Sequence, residues 1–163
     1  MKMAMTNSTK QTTTKQKLPP NPFQHEILEL VSKQRSKAKK VEILQEYDNA
    51  ALKVLLIWNF DDTAISIIPK GTVPYTENEV PVGTDHTSLR VEYKYLFNFV
   101  KGGNDSLTSL RRETMFIQIL EGLHPEEAKI LCLVKDKELQ TKYKLTYEIV
   151  SQAYPDINWG GRS

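Results

Sequence analysis

Ser106–Lys137, SLTSLRRETMFIQILEGLHPEEAKILCLVKDK, decides the fold class of this chain. It reads as two helices joined at Gly122–His124–Pro125. Asp105 or Ser106 is expected to cap the first, because a short side-chain oxygen accepts the free N–H groups of a first turn. On a helical wheel Leu110, Met115, Phe116, Ile117, Ile119 and Leu120 cover most of the circumference. A helix that is apolar nearly all round is a buried helix. Gly122 is expected to end it in the left-handed conformation. Pro125 suits a first helical position, and Glu126 and Glu127 complement the positive end of the new helix dipole. Ala128, Ile130, Leu131, Cys132 and Val134 then form a broad apolar arc. The pair is expected to centre a small helical core.

Working outward, the same periodicity recurs on the N-terminal side. Asn21–Pro22 reads as a cap and first helical residue, with Phe23, Ile27, Leu30 and Val31 at helical spacing through residue 33. Ser36 should cap a second helix carrying Val41, Ile43 and Leu44, and Asn49 a third running through Leu52, Leu55 and Trp58. Asp61–Gly83 is broken by Pro69, Gly71, Pro74, Pro81 and Gly83. A connection this long is either functional or strapped across the surface. Ile65, Ile67 and Ile68 suggest a short extended piece within it. Asp85–Lys101 is expected to be one helix, with Leu89, Tyr93, Leu96, Phe97 and Val100 on its inner side. A last helix is expected near Leu145–Tyr154, stopped by Pro155, with Ile157 and Trp159 folding back. The expected architecture is all-α: about six helices in one domain over residues 22–159, a disordered basic tail over 1–21 and a flexible end over 160–163.

The chain has 163 residues, one cysteine and a formal charge of +2. It can bury a core without disulfides, and a single cysteine suits a reducing cytosol. Its apolar runs are too short to span a bilayer, and no apolar core follows the N-terminal lysines as a secretory signal requires. No Gly-rich phosphate loop occurs. His25, His86 and His124 lack ligand spacing, so neither a metal nor another cofactor is expected. Cys132 sits in an apolar run and reads as packing. Asp61–Asp62 lacks the further oxygen ligands a cation needs. Without a nucleophile or acid–base constellation, an enzyme acting on a small molecule is not expected.

Charge distribution is more informative. Lys37, Lys39 and Lys40 open the second helix, just after Lys33 and Arg35. Arg90, Lys94 and Lys101 form a stripe, and Lys142 and Lys144 precede the last helix. Such groups are either a solvated face or contacts to phosphates. The lysine-rich start of the chain reads as a solvated tail or as a basic arm on nucleic acid.

The pattern RRETMFIQ-x-LE-x-x-HPEEA, preceded by FNFVKGGNDSL and followed by AYPDINW, resembles a family of small uncharacterised proteins from T-even-like phages and cyanophages. The likeness runs from about Ile27 to Trp159. More distantly, Ile27–Ser32, Lys40 with Ile43–Leu44, Asn49 with Leu52–Lys53, Leu133–Leu139, and Ile149 with Tyr154–Pro155 resemble the N-terminal DNA-binding domain of T-even phage ATP-dependent DNA ligases. That resemblance implies a non-enzymatic phage accessory protein that grips duplex DNA through its backbone. The lysine motif of nucleotidyl transfer is absent. The matching loop, Glu138–Lys142, lacks the glycine of the ligase pattern. The expected contacts are Lys37, Lys39, Lys40, Arg90, Lys94, Lys101, Lys142 and Lys144, and the expected location is the host cytoplasm. The alternative is a protein that docks on a phage or host partner, in the virion or outside it, through the acidic Asp61–Asp85 loop and the tail bearing Trp159.

Overall fold

The computed structural model describes residues 18–79 and 87–162. Among these residues there are seven α-helices and no named strand. They are α1 Gln24–Lys33, α2 Lys37–Glu46, α3 Ala50–Phe60, α4 Leu89–Glu92, α5 Ser109–Gly122, α6 Pro125–Lys135 and α7 Tyr147–Ala153. The all-α class follows from periodicity and caps. Ser36, Asn49 and Thr146 each accept an N–H three residues on, from Lys39, Leu52 and Ile149. Pro125 is the first residue of α6, and His124 Nδ1 accepts the Glu126 N–H at 3.0 Å.

The core lies between α3 and α6. Helix α3 buries Ala51, Leu52, Leu55, Leu56 and Trp58, and α6 buries Ala128, Ile130, Leu131 and Val134. Helix α1 packs on α2 and α6, α2 on α7, and α5 on α6. Helix α6 ends with Lys137 at φ 58°, its N–H reaching Val134 O and that of Glu138 reaching Leu133 O. This paired closure satisfies carbonyls that a helix end leaves free. The Lys137 ammonium donates to Trp58 O and Asp61 O, which closes the end of α3 as well.

Several expectations are corrected. Helix α5 is not apolar all round: only Arg112, Phe116 and Leu120, one stripe at four-residue spacing, are buried, and Leu110 is 77% exposed. Its cap is Thr108, which accepts the Arg111 N–H at 3.1 Å, rather than Asp105 or Ser106. Gly122 is the last helical residue and has no positive φ. A side chain there would meet Thr87 Cγ2 at 3.2 Å, and its carbonyl accepts the Thr87 N–H at 2.8 Å. Helix α1 starts two residues after Pro22, because Asn21 takes φ 53° and Glu26 accepts the Phe23 N–H.

The helix expected over Asp85–Lys101 is α4 followed by a 3-10 helix, Tyr93–Phe99. A period of three instead of 3.6 changes which residues face inward. Leu96 and Phe99 are buried, while Phe97, expected inside, is half exposed. Asp85 and His86 lie outside the described residues, as does the tail before Leu18.

The long connection, as far as residue 79, is strapped across the surface; Pro81 and Gly83 lie outside the described residues. Ile65–Ile67 pairs antiparallel with Phe99–Lys101 through Ile67 N–H to Phe99 O and Lys101 N–H to Ile65 O. The Lys135 ammonium then holds Pro69 O and Gly71 O, and Glu121 accepts the Thr76 N–H. At the C-terminus, Trp159 folds back, donating to Tyr154 O and meeting the Tyr147 ring edge-on at 5.6 Å. The expected flexible end is tied down as far as Arg162. Buried Asp61 accepts from Gly160 N–H and from the Arg162 guanidinium.

Candidate nucleic-acid interface

A groove of about 710 Å³ runs between the end of α1, the start of α2 and the loop before α7. Its lining holds five cations, Lys33, Arg35, Lys40, Lys142 and Lys144, against one carboxylate, Glu29. Local structure explains the convergence. Helix α1 ends at Lys33, and Gln34 donates back to Leu30 O. The Ser36 cap then starts α2 and turns Lys40 inward on the same face as Val41 and Leu44. Lys144 N–H donates to Ser32 Oγ at 3.3 Å, which pins the loop to α1.

Lys40 is the unusual member. It is 8% exposed, and its ammonium donates to Lys144 O. No carboxylate among the described residues forms an ion pair with it. Burial, and then the neighbouring Lys144 charge, push its pKa below the usual lysine range. A buried charge without a counter-ion is costly.

The remaining lining groups are polar or exposed. Lys142 reaches Glu126 at 3.3 Å and stands 5.5 Å from the Tyr143 ring centre. Tyr143 is buried, with its hydroxyl unpartnered, and burial together with Glu29 and Glu126 pushes its pKa up.

The basic residues expected to act together are thus divided. Lys40, Lys142 and Lys144 line the groove with Lys33 and Arg35. Lys37 and Lys39 stand on the exposed side of α2, paired with Glu148 at 2.6 Å and Glu42 at 3.7 Å. Arg90, Lys94 and Lys101 do not line the groove. Arg90 instead donates to Pro22 O, and Lys94 and Lys101 are exposed on or just beyond the 3-10 helix. Ser32, Glu29 and Tyr143 were not marked by charge patterning, because a serine, an acid and an aromatic carry no basic signal.

A second polar centre is structural. Glu127, expected as a first-turn acid, is fully buried and accepts the N–H groups of Gln24 at 2.8 Å and Leu89 at 2.9 Å. One carboxylate near the start of α6 therefore also closes the starts of α1 and α4, where negative charge is favoured. Burial pushes its pKa up, against the two amides and Arg90. Beside it, His25 and His124, remote in sequence, bring their rings to 4.8 Å, with Phe23 against both. Among the described residues no group of three or more His, Cys, Asp or Glu is placed to hold a metal ion. Cys132 is half buried, and burial pushes its thiol pKa up.

Taken together, the all-α fold and the basic groove define a small helical protein with one strongly cationic concavity. The chain belongs to a family of unknown function, DUF6433, whose model matches residues 27–141. No curated protein and no solved structure matches it. No helix among the described residues is long and apolar enough to cross a membrane.

Proposed function

We propose that this is a non-enzymatic phage accessory protein that binds duplex DNA through the phosphate backbone in the host cytoplasm. The observation that carries the reading is the convergence of Lys33, Arg35, Lys40, Lys142 and Lys144 on one groove that holds a single carboxylate. Phosphates bind Lys and Arg without regard to base identity, and binding releases counter-ions. The resemblance to the ligase DNA-binding domain supports the same reading, since it includes Lys40. Lys37 and Lys39 stand nearby on α2 and extend the contact, while Lys94 and Lys101 would need a second stretch of backbone.

Fluorescence anisotropy with nicked and intact duplexes, at low and near-physiological salt, tests this. Affinity should fall steeply with salt. Neutralising Lys33, Arg35 or Lys144 to alanine should weaken binding to all sequences alike and reduce the salt slope by about one unit per lost phosphate contact. The Lys39/Lys40 double variant should do the same. No binding at low salt would overturn the proposal.

A second reading, docking on a phage or host protein, is favoured by a different observation. Val91, Tyr95 and Phe97 are each about half exposed. Phe97 borders a small apolar groove of about 230 Å³ with Val54, Ile57, Leu96 and Val100. Recovery of one stoichiometric protein partner after nuclease treatment, lost on Phe97→Ser, would favour it over DNA.

A further inference from the structure

We infer that the groove is built for a terminal phosphomonoester, the 5′-phosphate of a DNA end or nick, with Lys40 as its anchor. This inference rests on the DNA-binding reading and sharpens it.

Three observations lead there. First, Lys40 is 8% exposed and lies in a concavity. Backbone phosphates along an unbroken duplex lie on a convex ridge and are met by exposed lysines such as Lys37 and Lys39. To reach Lys40, a phosphate has to enter the groove, which an end can do more readily than a diester tethered on both sides. Second, the charge of the site suits a dianion. Five cations line the groove with Glu29, and Glu126 pairs with Lys142, so the balance stays positive; a phosphomonoester carries about −1.5 to −2 at pH 7, whereas each internal diester carries a single charge. Third, donors remain in place. An ammonium has three N–H groups, and that of Lys40 gives one to Lys144 O. Ser32 Oγ accepts the Lys144 N–H and keeps its own hydroxyl proton to donate. A terminal phosphate, with three free oxygens, can take these donors together, and it supplies the counter-ion that Lys40 lacks. Glu29, one helical turn before Ser32 on α1, opposes the same anion.

The test uses the full chain and two short duplexes that differ only in bearing a 5′-phosphate or a 5′-hydroxyl at one nick. Wild type should prefer the phosphorylated nick by about tenfold, the scale of one hydrogen bond to a charged group. Lys40→Met should abolish the preference, while Lys37→Met, outside the groove, should keep it. Ser32→Ala should reduce it, and this mild substitution guards against misfolding of the Lys40 variant. Glu29→Gln should strengthen binding of the phosphorylated nick. Lowering the pH from 7.5 to 5.5, which protonates the monoester to a monoanion, should shrink the preference. Equal affinity for the two duplexes would overturn this inference while leaving duplex binding intact. No binding to either would overturn both. Inorganic phosphate competing as well as the phosphorylated nick would overturn a DNA end as the source of the phosphate.

Discussion

Lys135 and Lys40 are both buried lysines, and the two regions around them handle the charge in opposite ways. In the strap region the Lys135 side chain is fully buried, and its three donors meet Pro69 O at 2.9 Å, Gly71 O at 2.9 Å and Asp136 Oδ1 at 2.6 Å. That ammonium is complete, and its work is to hold the irregular connection against α6. In the groove, Lys40 has a backbone carbonyl, the Lys144 charge beside it and no carboxylate partner. The desolvation cost is of the same kind, but only the strap supplies a carboxylate from within the chain. Glu127 follows the strap's pattern, with two amides and a nearby arginine around a buried carboxylate. The difference teaches where to look for a ligand: at the buried charge the fold leaves short of partners.

The largest effect expected from this comparison is at Lys135. Lys135→Met removes three contacts and leaves Asp136 and two strap carbonyls short of a donor. Breaking a buried pair in this way should cost about 3–5 kcal/mol in urea denaturation. Lys40→Met should cost far less, below about 1.5 kcal/mol, because one hydrogen bond is lost while an unpaired charge is removed from a buried position. Phosphate ions should separate the two further. Exchanging chloride for phosphate at equal ionic strength should raise the melting temperature of wild type and of Lys135→Met by more than that of Lys40→Met, which keeps only the general stabilisation by phosphate and not the part due to binding. If Lys40→Met proved as costly as Lys135→Met, Lys40 would belong with the structural lysines.

The fold was legible where local chemistry acts alone. Ser36, Asn49 and the His124–Pro125 pair mark helix starts by their own side chains, and these starts stand where the sequence places them. Reading failed where tertiary contacts choose among local options. Leu110 and Phe116 are both apolar, yet only Phe116 is buried, edge-on to Phe99; nothing in α5 itself says which side its neighbours occupy. The 3-10 helix Tyr93–Phe99 ends where Phe99–Lys101 pairs with Ile65–Ile67, more than thirty residues earlier. Glu127 is indistinguishable from Glu126 in sequence, and becomes a hub only because the starts of α1 and α4 arrive beside it. At the candidate site, charge counting found Lys40, Lys142 and Lys144. It could not separate the buried Lys40 from the exposed Lys37 and Lys39, nor place Arg90 against Pro22. Ion pairs such as Lys37–Glu148 span more than a hundred residues and leave no local trace.

His25 sharpens the comparison at the smallest scale, because it is a buried basic group that takes a third course. It is 8% exposed, its Nδ1 has no partner, and His124 lies against it. Burial first, and then the His124 charge, lower its pKa, against the pull of Glu29, Glu26 and Glu126. Lys135 is paired and Lys40 keeps one carbonyl, whereas His25 is shifted towards its neutral form. The sign of the consequence is fixed by proton uptake. Above pH 6.5, the ordinary histidine value, neither the folded nor the unfolded chain protonates this ring, and it makes no pH-dependent contribution. As the pH falls below 6.5 the unfolded chain gains a proton that the folded chain resists, so stability is lost down to the lower folded pKa. His25→Leu should remove that loss. Urea midpoints of wild type and variant, compared between pH 7.5 and pH 5, should therefore differ increasingly in the variant's favour towards acid. Glu127 titrates on its own account in both proteins, and the difference between them cancels it. Parallel pH profiles would mean that His25 protonates without penalty, and that in this fold burial with an unpartnered ring nitrogen does not by itself mark a group under electrostatic stress.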